Sequence, residues 1–186
     1  MSDSSVSEKM LGKRNAKEFL RNKYGLSLNK KKMLLSIFVD ETKSPDEILA
    51  FLDNFLEAVK AISISVLVVA PKSIATELNK FRSPRGVSVL CVGHNTHSKI
   101  LEASDVSFVF PLSQMRIKDI KQMWSHGVVP ITSEKKFQSE NYDPNRETGK
   151  NFFIPKGDVW NVFAALVRAS ETYKFPYDWK HIVRQA

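Results

Sequence analysis

The stretch Val106–Thr132, VSFVFPLSQMRIKDIKQMWSHGVVPIT, decides the fold class of this chain. Its pattern predicts a buried strand over Val106–Phe110, a helix over Arg116–His126 that Gly127 ends, and a second strand over Val128–Thr132. Two buried strands joined by a helix form a βαβ unit, in which the strands run parallel. Because ligands bind at the carboxyl ends of parallel strands, we expect a functional site in the loop between the first strand and the helix.

The same alternation of buried strands and helices continues through the rest of the chain. Further strands are predicted over Met33–Val39, Ile64–Ala70, Val87–Val92 and Phe152–Pro155. Further helices are predicted over Glu8–Tyr24, Pro45–Val59, Ser73–Phe81, His97–Ala103, Val159–Tyr173 and Pro176–Gln185. This order predicts an α/β fold, a Rossmann-like three-layer domain with a six-stranded, mainly parallel sheet. We expect a single domain over residues 1–186, with residues 1–7 disordered and the aromatic side chains after Phe152 packed among the C-terminal helices.

The composition excludes several classes of protein. The chain has 186 residues, of which 42% are hydrophobic, so it can bury a core and need not be disordered. Cys91 is the single cysteine, so an internal disulfide framework is impossible, and the four histidines show no metal-ligand spacing. No apolar run reaches the roughly 18 residues of a membrane span, and no signal-peptide pattern opens the sequence. We therefore expect a cytoplasmic protein without a metal, a cofactor or a membrane partner.

The net charge of +8 is concentrated at the start of the chain. Residues 1–32 hold nine basic and three acidic side chains, whereas the remaining residues are nearly balanced. A basic segment of this kind can contact nucleic-acid phosphates, but charged residues on an amphipathic helix usually form its solvated face. No nucleic-acid motif and no basic patch with interleaved aromatic residues accompanies it. Nucleic-acid binding through residues 9–32 is therefore the least favoured hypothesis.

The glycine-rich loops that cradle phosphate in many α/β proteins are absent from the sequence. There is neither G-x-G-x-x-G after the first strand nor G-x-x-x-x-G-K-[ST] anywhere. Arg116, Lys118 and Lys121 can meet an anion at the start of their helix, where free N–H groups favour negative charge, or can form the solvated face of that helix. His94 and His97 flank a strand end, where they can polarise a phosphate or simply be polar loop residues.

Several short motifs occur in an order typical of one enzyme family. They are Leu11-Gly12-Lys13 with Lys17, Leu20 and Gly25-Leu26; Val92-Gly93, Ala103-Ser104-Asp105-Val106 and Phe110-Pro111; Gly127-Val128-Val129-Pro130-Ile131; Thr148-Gly149-Lys150-Asn151-Phe152; and Arg168-Ala169, Trp179 and Gln185-Ala186. Through them the chain resembles, over nearly its whole length, the C-terminal, nucleotide-sugar-binding half of bacterial glycogen synthases and plant starch synthases. The resemblance implies one half of a GT-B fold, with ADP or ADP-glucose, a glucan or a partner synthase half as candidate binding partners.

The residues that perform the family's chemistry are largely replaced. Phe38 stands where the family has a phosphate-binding arginine, whereas Lys43 keeps the position of its lysine. Gln114 replaces a glutamate that contacts the donor, Ile117 replaces a glycine, and Thr132 opens a turn that lacks the family's two glycines. Groups that stabilise a departing diphosphate commonly supply several kcal/mol each, so the resemblance implies no catalytic residue in this chain. The candidate donor-phosphate residues are Lys43, Gln114, Arg116, Lys118, His94 and Thr132.

The resemblance and the missing charges leave three functional hypotheses. The first is a glycogen/starch synthase-like domain, catalytically inactive alone, that acts as a nucleotide-sugar-binding, glucan-binding or interaction module. The second is the donor-binding half of an ADP-glucose-dependent glucosyltransferase that a separate N-terminal half completes, in which Lys43, Gln114 and Lys118 bind the donor phosphates. The third is the basic nucleic-acid-binding domain.

Overall fold

The computed structural model describes residues 3–29, 31–40, 42–71, 74, 78, 87–91, 96–133 and 140–185. Its strands are β1 (Leu34–Val39), β2 (Ser65–Ala70), β3 (Val87–Cys91), β4 (Val106–Phe110), β5 (Val129–Ser133) and β6 (Phe152–Ile154). Its α-helices are α1 (Asp3–Tyr24), α2 (Pro45–Val59), α3 (His97–Ala103), α4 (Ile117–Ser125), α5 (Val159–Tyr173) and α6 (Pro176–Gln185), and a 3-10 turn covers Leu112–Gln114.

The strands form one sheet in the order β3-β2-β1-β4-β5-β6, and each neighbouring pair is parallel. The register places Leu35 of β1 opposite Val66 of β2 on one side and opposite Val106 of β4 on the other. Every position of β1 and β2 is buried, as expected for strands that are covered on both faces. The predicted six-stranded parallel sheet is thus confirmed, and the direction in which strands are added reverses between β1 and β4.

Helices cover both faces of this sheet. Helix α2 packs against α5, and α1 packs against α3 and α6. Because crossovers between parallel strands are right-handed, α2 lies on one face of the sheet and α3 and α4 lie on the other. On the α2 side, Phe55 meets Phe108 of β4 edge-on, with the ring centroids 6.0 Å apart. The structure therefore has the three layers that the sequence predicts.

Helix α2 begins with the capping box that its sequence predicts. The Ser44 hydroxyl accepts the backbone N–H of Glu47 at 3.3 Å, and the Glu47 carboxylate accepts the backbone N–H of Ser44 at 3.3 Å. Pro45 occupies the first turn, where its missing N–H leaves no hydrogen bond unmade. Helix α2 therefore starts at a position that adjacent residues alone determine.

Lys17 of α1 is buried and joins this helix to the amino ends of the central strands. Its ammonium group donates to Asp105 Oδ2 at 2.6 Å and to the carbonyl oxygen of Lys32 at 3.0 Å. Asp105, which immediately precedes β4, also accepts the backbone N–H of Leu34 at 2.8 Å. The two charged side chains are each only 2% exposed. Lys17 is therefore part of the core of the domain and does not lie on a solvated face.

Lys13, one helical turn earlier, has a similar role. Its ammonium group donates to the carbonyl oxygen of Ser104 and to that of His126, the latter at 3.2 Å. Burial lowers the pKa of Lys13 to about 8, and the attraction of Asp105 opposes this shift. The Gly-Lys-x-x-x-Lys motif at the start of the chain therefore holds α1 in place, and two of its basic residues are not available to nucleic acid.

Several predictions about local structure need correction. Helix α1 begins at Asp3, so residues 3–7 are helical where disorder is predicted. The helix predicted over Ser73–Phe81 lies largely outside the described residues, of which 74 and 78 are helical. Trp179 is buried as predicted, but Trp160 is 72% exposed, and Phe175 and Tyr177 are exposed as well. These three rings lie near the ends of α5 and α6, where no described element covers them.

The Thr148-Gly149 turn shapes the segment before β6. Gly149 has a φ of 88°, and a Cβ atom there would overlap the backbone carbonyl of Asn141. The turn brings Asn151 into the core, where its Oδ1 accepts the indole N–H of Trp124 at 3.1 Å. The glycine of this motif therefore meets a requirement of the backbone. The asparagine links the segment to Trp124 of α4.

Candidate functional site

A cleft of about 780 Å³ opens at the carboxyl ends of β1, β2 and β4. The apolar residues that line it include Phe38, Val39, Val69 and Val109, and the polar residues include Asp40, His97, Gln114, Arg116, Lys118 and Asp119. Strands β1 and β4 flank the point at which the strand order reverses, which is where α/β folds with this order bind their ligands. The cleft therefore lies where the βαβ unit predicts a functional site.

The 3-10 turn and the first turn of α4 place three predicted site residues together at this cleft. Gln114 is exposed at the end of the 3-10 turn, as the sequence predicts. Arg116 precedes the first residue of α4, and Lys118 follows in its first turn, both exposed. The backbone here leaves the sheet after β4, so these side chains lie against the same opening. The cleft therefore receives an amide and two cationic groups from one short segment.

Arg116 makes a bidentate ion pair with Asp119, three residues later in the chain. Its Nε donates to Asp119 Oδ2 at 3.0 Å, and its Nη2 donates to Asp119 Oδ1 at 3.2 Å. The same carboxylate accepts the backbone N–H of Arg116 at 2.9 Å and so caps the start of α4. We call this arrangement the Arg116–Asp119 fork. The guanidinium is 65% exposed and the carboxylate 18% exposed, so solvent reaches the fork mainly from the arginine side.

The fork shifts the pKa of both partners. The hydrogen bond to Asp119 raises the pKa of Arg116, and the negative charges of Asp119 and Asp40 act in the same direction. Burial acts to raise the pKa of Asp119, but the hydrogen bonds from Arg116 outweigh it, so the pKa of this carboxyl group is lowered. Both side chains are therefore charged at neutral pH, and the fork is an ion pair.

Of the remaining predicted site residues, the two that the structure describes, Lys43 and Thr132, do not line the cleft. Lys43 donates to Glu47 Oε1 at 2.7 Å at the start of α2, and it is not among the described residues that line the cleft. Thr132 is fully buried in β5, where its hydroxyl donates to the carbonyl of Ser133 at 3.3 Å. His94 lies outside the described residues. The structure therefore groups Gln114, Arg116 and Lys118 at the cleft, and places Lys43 and Thr132 elsewhere.

Sequence reasoning missed three features of the cleft, of which the Arg116–Asp119 fork is one. Phe38 stacks on His97, with ring centroids 4.2 Å apart and an angle of 11° between the ring planes. Asp40, two residues after Phe38, adds a second carboxylate to the lining. The spacing of Arg116 and Asp119 is that of a capping box, and this signal could have revealed the fork. The ring stack had no such signal, because Phe38 and His97 come from distant elements.

The described residues contain no cluster of three or more His, Cys, Asp or Glu side chains that could hold a metal ion. Among the helices of the described segments, none is both long enough and apolar enough to cross a membrane.

Two comparisons with known proteins give matches, and no protein-family model matches the chain. In sequence, it is 23% identical over 176 residues to glycogen synthase 1 of Synechocystis sp., a match that covers 90% of this chain and 36% of the relative. In structure, it is similar to the catalytic domain of starch synthase IV from Arabidopsis thaliana bound to ADP and acarbose, with a TM-score of 0.70, 18% identity, and coverage of 95% of this chain and 38% of that one. It is also similar to the spinosyn rhamnosyltransferase SpnG complexed with spinosyn aglycone, with a TM-score of 0.57, 9% identity, and coverage of 87% and 43%.

These matches define the fold as that of one half of a GT-B glycosyltransferase. More particularly, the chain resembles the C-terminal half of glycogen and starch synthases, as its motifs indicate. The chain spans little more than a third of the length of the glycogen synthase and starch synthase that it matches. The similarity therefore establishes the fold and the family resemblance, and the activity of the longer proteins is a separate question for this chain.

Proposed function

We propose that this chain is a glycogen/starch synthase-like domain that binds a nucleoside diphosphate, or the corresponding nucleotide sugar, in the cleft between β1 and β4. The observation that carries the proposal is the position of the cleft at the reversal of strand order, together with cationic side chains on its rim. The similar starch synthase structure is bound to ADP, which supports an adenine nucleotide as the first ligand to test.

The chemistry of the cleft suits a nucleotide in two ways. Arg116 and Lys118 supply positive charge at the start of α4, where the helix dipole also favours an anion. The ring of His97, stacked on the buried Phe38, supplies a flat surface against which a purine or sugar ring can pack. Gln114 adds an amide that can donate to or accept from a hydroxyl group. A diphosphate with an attached ring system therefore matches the cleft better than a purely apolar ligand does.

We further propose that the isolated chain does not transfer glucose. Phe38, at the position of the family's phosphate-binding arginine, is buried and stacked on His97, so it adds no charge to the cleft. Gln114 is neutral where the family has a carboxylate, and Ile117 has a side chain where the family has glycine. Preorganised charges of this kind commonly contribute several kcal/mol each to lowering the barrier. The chain is accordingly a binding module for a nucleotide sugar, and a glucan or a synthase subunit is its expected macromolecular partner.

A second candidate function is the donor-binding half of a glucosyltransferase that a separate N-terminal half completes. Arg116 and Lys118 at the cleft favour it, because a donor-binding half needs cations that stabilise the departing diphosphate. Release of ADP from ADP-glucose in the presence of glycogen distinguishes the two functions. The binding-module proposal expects no release by this chain alone, and release above the rate of spontaneous hydrolysis would contradict it.

Calorimetric titration with ADP, ADP-glucose and adenosine at moderate salt tests the proposed binding. We expect ADP and ADP-glucose to bind in the micromolar range, and adenosine to bind more weakly because it lacks the phosphates. Lys118→Gln should weaken ADP binding by about three- to ten-fold, the effect of losing one charged contact. Lys121→Gln is the matched control, since Lys121 is exposed on the same helix but does not line the cleft.

Two results would contradict the proposal. The absence of a binding signal in titrations up to millimolar ADP would show that the cleft is not a nucleotide site. Equal losses in Lys118→Gln and Lys121→Gln would show that binding follows overall charge and not the cleft.

A further inference from the structure

The Arg116 guanidinium at the cleft is paired with a carboxylate of the same chain. Arg116 has its Nε and Nη2 on the two oxygens of Asp119, in the geometry with which a guanidinium binds a phosphate. Asp119 is thus an internal substitute for an anionic ligand. A phosphate that binds the Nε–Nη2 edge of Arg116 has to take the place of this carboxylate.

The described side chains that line the cleft carry equal numbers of positive and negative charges. Among the described residues that line it, Arg116 and Lys118 are cationic, and Asp40 and Asp119 are anionic. Asp119 therefore weakens the attraction that Arg116 exerts on a diphosphate while the two side chains are in contact. The ion pair is solvent-exposed on the arginine side, and exposed pairs contribute little stability, so a competing dianion can open it.

Asp119 does not depend on the guanidinium for its place in the fold. Its carboxylate also accepts the backbone N–H of Arg116 at 2.9 Å, and this hydrogen bond caps α4 whether or not the side chains touch. Arg116 is a long side chain that is 65% exposed, so its guanidinium can change position within the cleft while the helix stays intact. The fork therefore combines a fixed carboxylate with a movable cation.

We propose that Arg116 is the diphosphate-binding guanidinium of this cleft and that Asp119 sets the affinity by competing with the ligand for it. This inference rests on the proposed nucleotide-binding function. The residue at the family's arginine position is Phe38, which cannot serve, and Arg116 supplies the missing group from the far side of the reversal between β1 and β4. Asp119 is a positioning residue that binds the guanidinium of Arg116 and so competes with the ligand for it.

Asp119→Asn and Arg116→Gln test the inference, with ADP and adenosine as probes in calorimetric titrations. An asparagine side chain still accepts the backbone N–H of Arg116 but no longer pairs with its charge. Asp119→Asn should therefore tighten ADP binding by about three- to ten-fold, the strength of an exposed ion pair plus the removal of one repelling charge. Arg116→Gln should weaken ADP binding by about ten-fold or more, since a charge-assisted hydrogen bond to phosphate is lost. Neither change should alter adenosine binding.

A second Arg–Asp pair in the chain provides the matched control. Arg146 approaches Asp143 at 3.7 Å with the same spacing of three residues, and neither side chain lines the cleft. Asp143→Asn and Arg146→Gln should leave the dissociation constant of ADP unchanged. A gain in affinity in both Asp→Asn variants would show an effect of net charge and would overturn the competition between Asp119 and the ligand.

The outcomes separate this inference from the proposed function. Binding of ADP to the parent chain that neither Arg116→Gln nor Asp119→Asn changes would overturn the inference and leave the nucleotide site in place. Absence of ADP binding in the parent and in Asp119→Asn would reject the nucleotide site itself. Opposite changes in the two variants, with unchanged controls, are the result that the fork predicts.

Discussion

Replacing Lys17 by methionine tests whether the basic residues of α1 hold the domain together. Methionine keeps an unbranched, flexible side chain of similar length but carries no ammonium group. Asp105 would then lose the donor that lies 2.6 Å from its Oδ2 and would keep the Leu34 N–H at 2.8 Å. The carboxylate would remain buried without the cation that pairs with it, and Lys13 would be the remaining buried cation that attracts it.

The expected loss of stability follows from the burial of the pair. Both side chains are 2% exposed, so solvent cannot replace the missing cation. Removing one partner of such a pair commonly destabilises a protein by about 3–5 kcal/mol. The remaining N–H donor places the expected loss at the lower end, about 3 kcal/mol. Domains are commonly stable by about 5–15 kcal/mol, so this loss should be easy to measure.

Urea denaturation followed by circular dichroism gives the free energy of unfolding of each variant. Lys23→Met is the matched control, because Lys23 is exposed on the same helix and its ammonium group lies over the rings of Phe19 and Tyr24. Its loss should stay within about 1 kcal/mol. In the double variant Lys17→Met/Asp105→Asn the buried carboxylate charge is removed together with its partner, and part of the lost stability should return.

A loss below about 1 kcal/mol in Lys17→Met would refute this reasoning. It would mean that Lys17 is a solvated cation, and the hypothesis of nucleic-acid binding through residues 9–32 would regain support. A loss in Lys23→Met as large as that in Lys17→Met would equally contradict it, since the effect would then not depend on burial.

Three further predictions concern stability. Gln114→Ala should change the free energy of unfolding by less than about 0.5 kcal/mol, because the side chain is exposed; a large drop in melting temperature would show a structural role. Trp179→Ala should cost about 3–5 kcal/mol in urea denaturation, because the ring is 1% exposed and meets Tyr173 edge-on at 5.0 Å, whereas Tyr177→Ala on the same helix should be nearly neutral. Lys13 has a pKa of about 8 when folded, below its ordinary 10.5, so between these values the unfolded chain binds a proton that the folded chain does not. The free energy of unfolding of the parent, relative to Lys13→Met, should therefore rise with pH by about 1.4 kcal/mol per unit over that range, and a flat or falling difference would contradict the shift.

Most of the fold could be predicted from the sequence because its signals are local. The strand over Val106–Phe110 and the helices over His97–Ala103, Val159–Tyr173 and Pro176–Gln185 have the boundaries that periodicity and turn residues predict. The sequence also placed the site at the carboxyl end of β4, because the βαβ unit and the binding rule for parallel sheets require only the order of elements.

Tertiary structure decided which side chains meet at that site and which charges are buried. Lys43 matches a family position, yet it pairs with Glu47, while Arg116 and Lys118 line the cleft. Charge patterns alone cannot show such differences, because they depend on where each side chain points after the sheet forms.

The sequence by itself therefore determined the α/β fold class, the strands and most helices, and the end of the sheet that carries the cleft. Only the tertiary structure showed that Lys17 is buried against Asp105, 88 residues away, and that Phe38 stacks on His97. The physical reason is the range of the interactions. Periodicity and caps act between neighbouring residues, whereas burial and ion pairing depend on contacts between residues that are distant in the chain.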